Sequence, residues 1–132
     1  MALRLRIVTP TRLVVDTEVT ELTAPGSEGQ LGVLPMHVTF LGQLDVGILR
    51  YSEGGTAKQL VVHGGYAEVL DDVVTILADD AEFPDEVDVA AAKADLERIA
   101  GEIGAEQEDT GRVAELLAAQ KKAQVRLDLA GA

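Results

Sequence analysis

Two histidines, His37 and His63, and an acidic run of Asp79, Asp80, Glu82, Asp85 and Glu86 are the side chains in this chain best suited to chemistry. Imidazole and carboxylate hold cations and carry protons near neutral pH. Neither histidine has a cysteine, glutamate or second histidine at metal-ligand spacing along the sequence. The acidic run lacks the spacing and the glycine of an EF-hand, and reads as a solvated linker. His63-Gly64-Gly65 is of the oxyanion-hole type, but no Gly-x-Ser-x-Gly elbow accompanies it. Gly26, Gly29 and Gly32 recur at intervals of three, yet no Gly-Lys-Ser/Thr follows, so they do not cradle a phosphate. No nucleophile–base pair is legible. The reading is of a chain with no catalytic residue, no metal site and no cofactor.

Composition supports that direction. The 132 residues suffice for one domain, or a domain and an appendage. An apolar fraction of 47% supports a real core, and an aromatic content of 3% means that Val, Leu, Ile and Ala must build it. There is no cysteine, hence no disulfide framework, which fits a reducing compartment. The first residues alternate charge with apolar side chains and lack a signal peptide's apolar core, and no apolar run spans a membrane. A formal charge of −12 disfavours nucleic acid and anionic membrane surfaces as partners. Within 112–126 the sign reverses, with Arg112, Lys121, Lys122 and Arg126 against Glu115 alone.

The positioning elements follow from periodicity. Residues 3–8 alternate as a strand, Leu13-Val14-Val15 resumes after Thr9-Pro10-Thr11, and Val19 to Thr23 alternates with Val19 and Leu22 inward. The stretch from Pro25 to His37 cannot be helical, because three glycines and two prolines punctuate it. Leu31 to Leu34 reads there as a short buried strand, and Ser27, Glu28 and Gln30 as a solvent-standing tip. Further short strands are expected at Val38–Leu41, Asp45–Tyr51, Lys58–Val62, Tyr66–Leu70 and Val73–Leu77. Glu53-Gly54-Gly55 and Asp71-Asp72 mark turns, and Gly64-Gly65 marks a bulge or sharp bend. This is the pattern of an antiparallel β-sandwich or barrel over residues 1–86.

The period changes near Pro84. Val89, Ala92, Leu96, Ile99 and Ile103 lie on one helical face, with Asp85, Glu86 and Asp88 at its start. Gly101 and Gly104 weaken its end, and Gly104 to Gly111 is a polar link. A second helix is expected from about Arg112 to Leu129, with Val113, Leu116, Leu117, Gln120, Ala123 and Leu127 as its stripe. Residues 87–132 thus read as an antiparallel two-helix hairpin, and the fold class as α+β. Alanine-rich faces bury little area, so the helix contact is expected to be weak.

These residues together carry a resemblance. Pro25-Gly-Ser-Glu-Gly-Gln-Leu-Gly-Val-Leu-Pro-Met-His37 is similar to the signature loop of the epsilon subunits of F-type ATP synthases. Thr9-Pro-x-x-Leu-Val-Val-Asp16-x-Glu-Val19, Asp45-Val-Gly-Ile-Leu-Arg50, His63-Gly-Gly-Tyr-Ala-Glu-Val69 and Val74-Thr-Ile-Leu-Ala-Asp79-Asp-Ala-Glu82 match as well, in order along the whole chain. The resemblance implies the sandwich, in a non-catalytic central-stalk subunit. It would sit on the gamma subunit and the c-ring and turn with them, coupling proton flow to ATP synthesis. It implies a loop facing the c-ring at Ser27, Glu28, Gly29, Gln30 and Leu31, with His37 nearby. It implies C-terminal helices that can lie folded on the sandwich or extend toward the catalytic alpha/beta subunits, where they can inhibit ATP hydrolysis; if the second helix extends, Arg112, Lys121, Lys122 and Arg126 would face those subunits. The location implied is peripheral, on the cytoplasmic face of the bacterial plasma membrane, with the chloroplast thylakoid as alternative.

The chain departs from the family in two places. Met36 stands where the family commonly has glycine. Some members bind ATP through Ile/Leu-Asp-x-x-Arg-Ala, and the matching Val87-Asp88-Val89-Ala90-Ala91-Ala92 has Ala91 in place of the arginine, so a phosphate-holding charge is missing. The rival class is a small β-sandwich ligand-binding module or enzyme with an accessory hairpin, against which the missing catalytic constellation argues.

Overall fold

Alternating apolar residues place eight strands in one hydrogen-bonded sheet, followed by two helices, in the computed structural model. It describes residues 2–36, 39–105 and 110–130. The strands are β1 (Leu3–Val8), β2 (Leu13–Val19), β3 (Glu21–Gly26), β4 (Gly29–Val33), β5 (Phe40–Glu53), β6 (Thr56–Leu70), β7 (Val73–Ala78) and β8 (Ala81–Glu82). The helices are α1 (Val89–Ala105) and α2 (Thr110–Ala130). Two compact units result, Met1–Phe83 and Pro84–Ala132.

The strand order is β2-β1-β7-β6-β5-β3-β4, with β8 added to β6. Every pair is antiparallel except β1 with β7, which run parallel. The sheet is therefore mixed. Alternation in β1 and β7 is compatible with either direction of pairing, so the sequence carried no sign of the parallel pair. The sheet also folds back on itself. β2 and β5 are separated by three strands in this order, which would hold them roughly 19 Å apart in a flat sheet. Thr17 Oγ1 on β2 nevertheless donates to Glu53 Oε1 on β5 across 2.8 Å. One apolar cluster fills the first unit, running from Leu3, Leu5 and Ile7 through Leu22, Leu49 and Leu60 to Val69, Val74 and Ile76.

The strands expected at Val38–Leu41 and Asp45–Tyr51 are one, β5, and those at Lys58–Val62 and Tyr66–Leu70 are one, β6. Val38 lies outside the described residues. The reason lies at Gly64 and Gly65, with φ of +76° and +111°. They bend the ribbon and leave its register unchanged, since Leu44 pairs with Gly65 and Val46 with His63 in the same frame. Of the bulge or sharp bend expected there, the unshifted register fits the bend. Which residues face inward switches parity across it, from Leu44 to Leu49 and Tyr51 on β5, and from Leu60 and Val62 to Ala67 and Val69 on β6. Both halves of each strand can then turn an apolar face to the same core.

In the second unit, Asp88 caps α1, its Oδ1 accepting from Ala91 N–H at 3.0 Å. Gly101 and Gly104 do not end the helix, which runs to Ala105. Ala92 and Ile99 on α1 and Leu116, Ala123 and Leu127 on α2 are buried, as their spacing required. Leu117 is exposed, because it lies a full residue off the stripe that Val113, Leu116, Gln120, Ala123 and Leu127 form. The helices pack together. Arg112 in the first turn of α2 reaches Glu102 in the last turn of α1 (3.5 Å), as an antiparallel hairpin requires. The link at 106–109 lies outside the described residues.

Candidate functional site: a hairpin tip and an apolar sheet face

Pro25-Gly26 and Gly29-Gln30 pair as the ends of β3 and β4, leaving Ser27 and Glu28 as a two-residue turn. Gly29 has φ +127°, a backbone open to glycine, and a side chain at Gly26 would meet the Gly29 carbonyl oxygen at 2.5 Å. The glycines therefore shape the tip, and the polar residues occupy it. Ser27, Glu28, Gly29 and Gln30 are exposed. Leu31 is half-buried and packs on the core, anchoring the hairpin. The expected buried strand Leu31–Leu34 is only partly so: Val33 is buried, and Leu34 stands past the strand end in solvent. As an edge strand, β4 has one covered face, which a run of apolar letters does not reveal.

Ser27 to Leu31 form one wall of a groove of about 410 Å³ whose other wall is Phe40 to Gln43 at the start of β5. Ser27 N–H donates to the Gln43 carbonyl at 2.9 Å and fixes the tip against that wall. Leu41 on this wall is 71% exposed. Nothing in the sequence joined Phe40–Gln43 to the tip, because the two meet only through β3–β5 pairing. His37 lies outside the described residues. Its neighbour Met36 adopts φ +66°, and its N–H donates to Asp72 Oδ1 at 2.6 Å. The turn that glycine would make freely is thus kept by methionine, with a carboxylate from the β6–β7 hairpin as support.

Leu41 is not alone on its side of the sheet. Tyr66 pairs with Leu77, and Leu70 with Val73, all facing away from the core. Tyr66 and Leu77 are each 55% exposed. They border a second groove, of about 380 Å³, together with Val8, Thr9 and Pro10. Between these apolar rows runs a polar one, Glu68, Thr75 and Arg6, set by the same registers.

The four basic residues of α2 do not form one cluster. Arg112 is held between Glu102 (3.5 Å) and Glu115 (3.6 Å). Lys121 begins nine residues later, about 14 Å along the helix. Lys121 and Lys122 are exposed and Arg126 is half-buried. One grouping went unseen in the sequence: β8 lies on β6, so His63 is set beside Asp80 and Glu82. Only the pairing register, and no spacing, could have revealed it.

Among the described residues no helix is long and apolar enough to cross a membrane. A folded-over sheet with a projecting polar tip, an exposed apolar face and a separate two-helix unit is the build of an assembly subunit. Residues 2–84 match the family described as ATP synthase, Delta/Epsilon chain, beta-sandwich domain. The chain is 44% identical over 130 residues to the ATP synthase epsilon chain of Solibacter usitatus, covering 95% of this chain and 92% of that one. With the epsilon chain of Syntrophobacter fumaroxidans it shares 46% over 128 residues, covering 97% and 95%. Among solved structures it superposes on a chain of the Euglena gracilis mitochondrial ATP synthase (OSCP/F1/c-ring, rotational state 1) with a TM-score of 0.85 and 27% identity, covering 99% of this chain and 82% of that chain. The chain belongs to the ATP synthase epsilon chain family.

Proposed function

We propose that the chain is a non-catalytic rotor subunit of a bacterial F-type ATP synthase. Its β-domain couples the c-ring to the gamma subunit, and its helices restrain ATP hydrolysis. The observation that carries this reading is the division of labour on the β-domain surface. One end presents a polar, backbone-braced tip, and one face presents exposed apolar rows at Leu41, Tyr66, Leu70, Val73 and Leu77. Exposed apolar rows gathered on one face and edged by polar residues suit a protein–protein surface, and the reading assigns this face to gamma. Ser27, Glu28, Gly29, Gln30 and Leu31, with His37, are assigned to the c-ring. The similar Euglena chain comes from an assembly that includes F1 and a c-ring, which supports a place for this chain in such an assembly. The association with the membrane is then peripheral, through the complex, on its cytoplasmic face.

The helical unit is assigned the regulatory part. Exposed cations at Lys121 and Lys122, with Arg126 on the face of Lys122, suit an acidic partner surface such as the catalytic alpha/beta subunits would present. Ala91 occupies the position where an ATP-binding relative would carry arginine, so the unit acts without a tight nucleotide site.

The deciding experiment is reconstitution. Glu28→Ala with Gln30→Ala should leave stability within about 0.5 kcal/mol, as exposed positions do. Binding to the c-ring should weaken, with binding to gamma intact. Tyr66→Ser with Leu77→Ser should do the converse. Loss of both attachments from either pair, or of neither, would contradict the assignment of separate surfaces.

A further inference from the structure

Antiparallel pairing of β8 with β6, Val62 opposite Ala81 and Val61 opposite Glu82, draws three distant side chains into one place. His63 N–H donates to the Asp80 carbonyl at 2.9 Å. One ligand-capable atom from each of His63, Asp80 and Glu82 then lies within 4.8 Å of the other two. His63 Nε2 and Glu82 Oε2 are 3.7 Å apart.

We propose that His63, Asp80 and Glu82 bind a divalent transition-metal ion of the zinc class, with water completing the shell. Ligands about 2.0–2.2 Å from a tetrahedral zinc are separated from each other by roughly 3.3–3.6 Å, so the His63–Glu82 distance needs only a small side-chain adjustment. One imidazole nitrogen and two carboxylates favour such an ion over the hard cations, which take oxygen alone. The burial is graded as an open site needs. His63 is 7% exposed, Glu82 half-buried and Asp80 exposed, so the ion meets water at the carboxylate side.

The ligands are also held from behind. The backbone of His63 is fixed to Asp80, and Asp80 Oδ1 accepts from Ala81 N–H at 2.8 Å, which orients the carboxylate. Arg12 Nη2 donates to the Ala81 carbonyl at 3.1 Å and holds the short strand in place. A simple histidine–carboxylate ion pair would need one acid, and two converge here. A bound ion would join β8, the last strand before Pro84, to the middle of β6. The proposal concerns this chain alone and stands or falls apart from the rotor reading.

The test is a titration of the untagged, chelator-treated full chain with Co²⁺, followed through its visible d–d bands, and then with Zn²⁺ as competitor. One equivalent should bind, Zn²⁺ should displace Co²⁺, and Mg²⁺ at equal concentration should not. Free Zn²⁺ at about 100 times Kd should raise Tm by roughly 10 °C. Asp80→Asn and Glu82→Gln should each weaken binding by about tenfold or more, and His63→Gln should abolish it. Because His63 is buried, the two acid variants decide if that third one unfolds. No saturable binding, or binding unchanged in both acid variants, would overturn the proposal.

Discussion

Met36 N–H donates to Asp72 Oδ1 across 2.6 Å, joining the β4–β5 connection to the β6–β7 hairpin. Both residues have left-handed backbones, φ +66° and +61°. For a non-glycine residue that region costs about 1–2 kcal/mol, and the charge-assisted hydrogen bond offsets part of it. Met36→Gly should therefore stabilise the β-domain by about 0.5–1 kcal/mol, after the extra flexibility glycine gives the unfolded chain. The check is a urea midpoint that rises at constant slope. Asp72→Asn, which tolerates the same backbone, should lower it.

Gly65 is expected to be the least replaceable residue of the bend. A Cβ there would collide with the Leu77 carbonyl oxygen, and φ is +111°. Gly65→Ala should cost about 2–3 kcal/mol. Gly54→Ala in the exposed β5–β6 turn, where nothing lies within 4 Å of a new Cβ, should cost about 1–2 kcal/mol, from its positive φ alone. Equal losses in thermal unfolding would remove the steric argument.

The pH response of the β-domain has a traceable part at Glu53. Lys58 Nζ donates to Glu53 Oε2 at 2.8 Å, and Thr17 donates to the other oxygen. The Lys58 bond first, then Thr17, holds the Glu53 carboxyl below the usual glutamate value. A depressed folded value stabilises above the unfolded one, and that stability is lost as pH falls through the folded value. Carboxyl NMR titration should find Glu53 low in the parent chain, moved up most by Lys58→Ala and less by Thr17→Val. The acid limb of the stability curve should be shallower in Lys58→Ala.

The cations of α2 offer a test of the regulatory assignment. An exposed ion pair contributes about 0–1 kcal/mol, so Lys121, Lys122 and Arg126 would bias a two-state arrangement only together. Changing all three to Ala should release ATP hydrolysis in the assembled synthase, more at low salt than at high. If hydrolysis stays at the parent rate at every salt concentration while deletion of 107–132 raises it, the arm acts by blocking space and not by charge.

Much of the architecture was legible because it rests on local patterns. Alternation in 3–8 and 73–77 gave the core strands, and the three-and-four spacing of Val89 to Ile103 gave α1. The two-residue turns at Gly54-Gly55 and Asp71-Asp72 were readable from residue type, and all four residues have positive φ. What stayed hidden depended on pairing between distant segments. The parallel β1–β7 contact, the merging of short strands into β5 and β6, and the second wall of the tip groove all arise from register. Of the two surfaces proposed for contact, the tip was visible through its glycines, whereas the apolar face was not. Tyr66 and Leu70 look like core letters until the parity switch at Gly64-Gly65 places them outside, and Leu77 faces out with them by alternation with Ile76 and Ala78 on β7.

Because β5 and β6 run unbroken through the bend, the two halves of the folded sheet share covalent backbone as well as packing. Apolar contacts alone would let stacked layers slip under a sideways pull, since such contacts are non-directional. Here a pull on Ser27 passes through its hydrogen bond to Gln43 into a strand that continues to Glu53 in the other half. Sliding one half past the other would have to bend two continuous strands as well as shift side chains. The β-domain is thus tied by continuous backbone along the line from its tip to its far edge.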